Sequence, residues 1–257
     1  MQQSRIDLRR ELEAAGLARV PPQRLLLVTD FDGTLSEVVS SPSAAEINAA
    51  SENALRRLAG VLGRVAILSS RSPSDLEARL HIDGIELIGD SGLQDMTSDE
   101  RRRLEMFNVE AARVLAEVPG VWLEIKPGGT AIHHRHAALP AEDIVAAIGR
   151  AVRETELHVR TGRRVIEVSP RERPKGDALA ALVKRVDCAG VICLGDDEND
   201  RPMFEYVSGL SMPHLTVGVA SGEAPPDLFD GCELVVSGPD EVGELLAELA
   251  DLTQGRG

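Results

Sequence analysis

Asp30 and Asp32 stand two residues apart at the end of an apolar run, Leu25-Leu26-Leu27-Val28-Thr29, and Gly33, Thr34 and Leu35 follow at once. Two like charges this close, where a buried strand ends, are costly unless something positive holds them. A hard divalent cation with oxygen ligands does this, and Mg²⁺ is the common choice where phosphate is also bound. Taken alone, Asp32-Gly33 is also an ordinary turn signal and Thr34 an ordinary cap. The other strand ends must decide between these readings.

Three further stretches carry complementary groups. Val65-Ala66-Ile67-Leu68 ends in Ser69-Ser70-Arg71, and Val191-Ile192-Cys193-Leu194 ends in Gly195-Asp196-Asp197-Glu198-Asn199-Asp200. Lys175 opens the helix between them, one of only three lysines among the 28 basic residues. If the runs are strands of one parallel sheet, these groups meet at its carboxyl edge, where open α/β sheets bind ligands. Carboxylates, one hydroxyl, one ammonium and a hard-metal site together suit phosphoryl transfer. In that chemistry Asp30 is the nucleophile and forms an aspartyl phosphate. Asp32 protonates the leaving alcohol and then activates water. Ser69 and Lys175 neutralise and position the phosphate oxygens. The metal set is Asp30, Asp32, Asp196 and Asp200, with Asp32 offering its backbone carbonyl.

The elements that position these groups follow from periodicity. Ser4 to Gly16 reads as a short amphipathic helix docked at the periphery. Ser40 to Ser43 is loop, and Ala49 to Leu62 has helical spacing. Ser72 and Pro73 start a helix as cap and first residue. Ile85 to Ile88 is a third strand ending in Gly89-Asp90-Ser91-Gly92. Further on come a helix over Asp177 to Val186, the strand ending at Gly195, a helix from Pro202, strands at Leu215 to Val219 and Leu234 to Val236, and a closing helix over Val242 to Leu252. Alternating strands and helices of this kind predict a Rossmann-like doubly wound parallel sheet.

The middle of the chain has a different pattern. A charged helix over Asp99 to Glu117 precedes strands at Val121 to Lys126 and Thr130 to His136, around Pro127-Gly128-Gly129. A helix over Ala141 to Arg153 precedes strands at Leu157 to Arg160 and Val165 to Ser169, around Thr161-Gly162. Hairpin-sized loops make both pairs antiparallel. An α+β domain over residues 96–171 is therefore inserted between core segments 1–95 and 172–257, and Arg173-Pro174-Lys175-Gly176 leads back. Glu124 and Lys126 share a face of one strand, and His133 and Arg135 a face of the next. Such groups grip sugar hydroxyls, or else form a solvated sheet face. His134 and His136 also share a face, but nothing in the pattern supports a metal there. Arg101-Arg102-Arg103 reads as the exposed side of the helix.

The motifs Asp30-Phe31-Asp32-Gly33-Thr34, Ser69, Lys175 and Gly195 to Asp200 resemble those of the haloacid dehalogenase superfamily. The insert looks like that superfamily's larger α/β cap, which sugar phosphatases commonly carry. Within it the chain is most similar to trehalose-6-phosphate phosphatases: Pro42 after the first motif, Glu124-x-Lys126 and His133-x-Arg135 in the cap, and Glu167 to Pro170 before Lys175-Gly176. The resemblance implies Arg71, Glu124, Lys126, His133, Arg135 and Glu167 as substrate-binding residues, Mg²⁺ as cofactor, and a cap that closes to exclude water. It also implies a functional link to a trehalose-phosphate synthase. Departures are Ser70 where glycine is usual, Ser91 where histidine is usual, and Asn199 where threonine is more usual. They leave the catalytic step intact and bear on the identity of the sugar. The alternatives are a phosphatase for sucrose phosphate or for a glucosyl- or mannosyl-phosphoglycerate, a phosphomutase, and a non-catalytic sugar-phosphate sensor or synthase subunit. The last is disfavoured because Asp30, Asp32, Lys175 and Asp196 are all retained.

The bulk properties leave room for a small anionic substrate, since local positive groups can dominate in a pocket, and argue against larger anionic partners. The chain has 257 residues, and its net charge of −14 argues against nucleic acid and anionic membranes as partners, because both need basic surface. Aromatics are 2%, so the core is built from Leu, Val, Ile and Ala. No apolar run is long enough for a membrane span, and residues 1–10 lack a signal-peptide core. Cys188, Cys193 and Cys232 fit neither a zinc pattern nor a disulfide framework, so reduced thiols in a cytoplasmic protein are expected.

Overall fold

The structure is a computed structural model, and it describes residues 7–39, 42–161, 165–172, 174–220 and 227–255. Four features of the sequence reading lie outside the described residues: the first turn of the N-terminal helix at residues 4–6, Ser40-Ser41, the turn residue Gly162, and Arg173.

All five residues of β1 (Leu25–Thr29) are buried. Leu25 and Leu27 enter one hydrophobic cluster, while Leu26 and Val28 enter another on the opposite side. A strand covered on both faces needs a continuous apolar run, and this is why the pattern does not alternate. Each such side chain contributes about 1.5–3 kcal/mol by its burial. With β2 (Arg64–Leu68), β3 (Ile85–Ile88), β8 (Gly190–Gly195), β9 (His214–Val219) and β10 (Leu234–Val236), numbered along the whole chain, it forms a six-stranded sheet. The order is β10-β9-β8-β1-β2-β3, and every pairing is parallel. The chain runs outward from β1 to β3 and later outward on the other side from β8 to β10. The order therefore reverses between β1 and β8, which opens a crevice at their carboxyl ends.

Helices cover both faces. Residues of α1 (Leu8–Ala14), α2 (Ala49–Ala59), α3 (Pro73–Arg79) and α8 (Gly238–Gln254) pack into the first cluster. Those of α6 (Pro174–Arg185) and α7 (Arg201–Ser208) pack into the second. Capping follows the sequence: Asn48 accepts the Ala50 and Ser51 amides, and Ser72 accepts the Asp75 amide with Pro73 at the first helical position. Two expectations are corrected. The N-terminal helix is not peripheral, because Leu8, Leu12 and Leu17 are all buried in the core cluster. The helix expected from Asp177 begins at Pro174, since proline is well suited to a first helical turn; Lys175 thus lies inside that turn.

By their contacts, residues group into two compact units, Met1–Gly89 with Lys175–Gly257, and Asp90–Pro174. The second contains α4 (Ser98–Leu115), β4 (Trp122–Lys126), β5 (Gly129–His133), α5 (Ala141–Thr155), β6 (His158–Thr161) and β7 (Val165–Ser169). Its sheet has the order β4-β5-β7-β6 and is antiparallel throughout. Thr97 and Glu100 form a reciprocal capping box at the start of α4. Phe107, Ile132, Ile144, Ile148 and Ile166 form the centre of this unit's own core. Arg103 reaches the Glu156 carbonyl at the end of α5, at 2.9 Å, so it is not merely solvated as expected. A cation there suits the negative end of the helix.

Candidate active site

The chain turns tightly after β1. Gly33 N–H donates to the Ser36 carbonyl at 2.8 Å, and Leu35 and Ser36 N–H both donate to Phe31. Gly33 has φ +78°, and a Cβ there would come within 1.9 Å of an Asp196 carboxylate oxygen. Glycine is required twice over, by conformation and by space. The Asp-Gly signal is thus a real turn but not a hairpin, because α2 comes before the next strand, β2. Asp30 N–H donates to the Leu194 carbonyl at 3.0 Å, which ties the end of β1 to the end of β8.

At that junction Lys175, 1% exposed, bridges two carboxylates. Its Nζ lies 2.9 Å from Asp30 Oδ1 and 2.6 Å from Asp200 Oδ1. The other Asp200 oxygen accepts the Asp196 and Asp197 amides at 3.0 and 3.1 Å. Asp200 therefore shapes the loop after β8 as well as neutralising Lys175. Asp30, Asp196 and Asp200 each offer an oxygen within 4.8 Å of the others, and all three are buried. Burial raises the Asp30 carboxyl, Lys175 lowers it and Asp200 raises it again; it ends pushed up to about 7. Asp196 is pushed up to about 9 by burial and then by Asp30, Asp200 and Asp197. Burial acts to lower the Lys175 ammonium, but Asp200 and Asp30 hold it above its ordinary value. One ammonium against three buried carboxylates leaves an excess of negative charge. A buried, all-oxygen, over-negative donor set fits a hard divalent cation. Thr34 Oγ1 donates to Asp196 at 3.4 Å, so the loop carrying Asp32 also steadies Asp196.

The remaining core residues stand apart from this cluster. The Asp32 carboxylate accepts two hydrogen bonds from Arg71, Nε to Oδ2 and Nη2 to Oδ1, both 2.7 Å. The side chains of Asp32 and Arg71 are thus paired with each other, and the Asp32 carboxylate is not among the clustered oxygens. Ser69, 1% exposed, directly follows β2 and accepts the Arg71 amide at 3.2 Å, which leaves its own O–H to donate.

In the inserted unit, Glu124, Ala131, Glu167 and Arg160 are successive partners across β4, β5, β7 and β6, and so lie in one row on one face. His133 Nε2 lies 2.9 Å from Glu124 Oε2, and Lys126 Nζ lies 3.9 Å from the same oxygen. Trp122 stacks on His133 with ring centroids 3.8 Å apart. Arg135 departs from expectation. The strand ends at His133, and Ala137 N–H donates to the His134 carbonyl at 3.0 Å, so Arg135 sits exposed in a turn and shares no strand face with His133. Asp90 and Ser91 have φ of +49° and +55°, uncommon for residues with a Cβ, at the very start of this unit. Burial raises the Asp90 carboxyl and Lys126 lowers it.

A model of the trehalose-phosphatase family matches residues 28–227. The chain belongs to that family. It is 32% identical over 247 residues to a trehalose-phosphate phosphatase of Mycobacterium avium, covering 89% of this chain and 63% of the relative. The chain thus spans less than two thirds of the length of that curated family member. Among solved structures, Aspergillus fumigatus trehalose-6-phosphate phosphatase superimposes with a TM-score of 0.69 at 22% identity, over 96% of this chain and 98% of the other. The C-terminal domain of the Candida albicans trehalose-6-phosphate phosphatase gives 0.72 at 21%, over 96% and 97%. At these identities the likeness is one of fold. All the motif residues from Asp30 to Asp200 fall within the stretch that matches the trehalose-phosphatase family. Sequence reasoning missed Trp122, Arg160, Asp75 and Arg79, none of which belongs to a motif. A lone tryptophan two residues before Glu124 was the one available signal. Among the described residues no helix is long and apolar enough to cross a membrane.

Proposed function

We propose that the chain is a Mg²⁺-dependent phosphatase that converts trehalose 6-phosphate to trehalose and phosphate. The observation that carries this reading is the buried cluster of Asp30, Lys175, Asp196 and Asp200 at the switch point of the sheet, in a chain of the trehalose-phosphatase family. The Asp30 and Asp196 carboxylates and the Asp32 backbone carbonyl would hold Mg²⁺, which supplies charge neutralisation to the phosphoryl oxygens.

The chain's own groups account for the rest. An Asp30 carboxylate oxygen attacks phosphorus while the bond from phosphorus to the sugar oxygen breaks. The leaving oxygen keeps that electron pair and takes the proton of Asp32. Water then gives a proton to Asp32 and attacks the aspartyl phosphate, and the bond from phosphorus to Asp30 breaks. Phosphate leaves, and both aspartates are restored. Lys175, fixed between Asp30 and Asp200, and the free Ser69 O–H donate to phosphate oxygens. In the inserted unit, Glu124, Lys126, His133 and Glu167 supply selectivity through directional bonds to sugar hydroxyls; Arg135, in its exposed turn, contributes a cation.

The test is phosphate release with Mg²⁺ across trehalose 6-phosphate, sucrose 6-phosphate and glucosyl-3-phosphoglycerate. Preference for trehalose 6-phosphate, lost on chelation, is the expected result. Equal turnover of all three overturns the substrate assignment, and no turnover of any overturns the reaction.

A further inference from the structure

Every guanidinium nitrogen of Arg71 donates a hydrogen bond inside the protein. Nε and Nη2 grip Asp32, and Nη1 donates to Asp75 Oδ2 at 2.5 Å. Asp75 is in turn gripped by Arg79, Nε to Oδ2 at 2.9 Å and Nη2 to Oδ1 at 3.0 Å. Arg79 Nη1 also donates to the Ala45 carbonyl at 2.5 Å, in the segment that leads away from Asp32. The Arg71 side chain is only 9% exposed, and its guanidinium lies 5.3 Å from the centre of the Phe31 ring. Asp32, Arg71, Asp75 and Arg79 therefore form an alternating ladder that fixes the Asp32 carboxylate to α3. A planar fork with two parallel bonds dictates direction as well as charge.

We propose that Arg71 is a positioning residue that aims the Asp32 carboxyl at the leaving-group oxygen, with Asp75 and Arg79 as its anchor, and that it does not bind the sugar phosphate. This rests on the phosphatase reading above. It replaces the substrate-binding role that the motif resemblance implies for Arg71. The geometry supports it because the planar edge that would grip a ligand's oxygens with two parallel bonds is here matched to a carboxylate of the chain itself.

The ladder has a distinctive kinetic consequence. An alkoxide leaving group needs the Asp32 proton as the phosphorus–oxygen bond breaks, but p-nitrophenolate leaves without it. Loosening Asp32 therefore slows phosphoryl transfer from the sugar phosphate selectively, by about the 10²-fold at the lower end of what a positioned general acid supplies, whereas its role in hydrolysing the aspartyl phosphate is common to both substrates. The experiment compares wild type, Arg71→Lys and Asp75→Asn on trehalose 6-phosphate and p-nitrophenyl phosphate, with folding checked by circular dichroism. Arg71→Lys keeps the charge and loses the fork. The expected result is about a 10²-fold lower kcat/KM on the sugar phosphate and a change under about threefold in kcat/KM on the aryl phosphate, because kcat/KM reports phosphoryl transfer to Asp30 and not the shared hydrolysis of the aspartyl phosphate. Asp75→Asn shows the same split, but smaller. Equal losses of kcat/KM on both substrates, or a raised KM for the sugar phosphate with kcat intact, overturn the proposal. If wild type releases phosphate from neither substrate, the phosphatase reading fails instead.

Discussion

The two polar centres of this molecule are built to different standards. In the core unit, Asp30, Lys175 and Asp200 are buried, sit within 3 Å of a partner, and are locked by backbone amides and by glycines that leave no room. In the inserted unit, Glu124 and Lys126 are 43% and 28% exposed, and their 3.9 Å separation is loose. The first arrangement is over-determined, as a site must be if it holds charge in place before the reaction begins. The second keeps its donors and acceptors in water until something replaces that water. On the proposed reading, chemistry and selectivity are carried by different kinds of structure, and they should fail in different ways.

The largest effect is expected at Lys175. Lys175→Ala leaves Asp30 and Asp200 buried and uncompensated, which costs about 3–5 kcal/mol of stability. Urea unfolding reads this loss, and turnover should fall with it. A variant as stable as wild type would mean that the buried pair is not the keystone described here. Next comes Gly33→Ala, which forces a Cβ onto Asp196 and into a positive φ. We expect turnover to drop about 10²-fold, with a stability loss of about 1–3 kcal/mol; unchanged turnover would show that Asp196 has freedom the geometry denies it.

The inserted unit should behave in the opposite way. Glu124→Ala and Lys126→Ala should raise KM for the sugar phosphate about tenfold, with stability altered by less than about 0.5 kcal/mol. Their kcat on p-nitrophenyl phosphate should not move. A large stability loss would make these residues structural and erase the contrast. Trp122 is the only tryptophan, stacked on the His133 that contacts Glu124. Its fluorescence should change saturably as trehalose is titrated into the protein, and an unmoved spectrum would argue against sugar binding on this face.

The smallest effect concerns acid stability. Glu100 accepts from Arg171 and from the Thr97 amide, and its pKa falls from 4.5 to about 2, with Arg171 the main cause. A depressed folded pKa adds stability above the unfolded value, and that stability fades as pH falls from about 4.5 toward 2. Glu100→Gln should therefore narrow the difference in melting temperature between pH 5 and pH 3.

Much of this was legible in the chain itself. The strands of the parallel sheet announce themselves because burial on both faces demands unbroken runs such as Leu25 to Val28, and Ser72-Pro73 marks a helix start through local chemistry alone. Asp30, Asp32, Ser69, Lys175 and Asp196 were identifiable because each follows or adjoins such an element. What could not be read was long-range choice. Arg71 has many carboxylates to choose from in so acidic a chain, and only the fold brings it to Asp32, 39 residues earlier. Arg135 was misplaced because nothing in His133-His134-Arg135-His136 signals that the strand gives way to a turn. Leu8 and Leu12 looked peripheral because a short charged helix gives no sign of how deeply its two leucines sink.

The central claim is that Asp30 is the nucleophile of a phosphatase whose charge is arranged in advance. The most direct measurement is a comparison of wild type with Asp30→Asn in Mg²⁺, following phosphate release from trehalose 6-phosphate and confirming native circular dichroism for both. The account predicts steady release by wild type and none above background from a folded Asp30→Asn. Substantial turnover by that variant would contradict it.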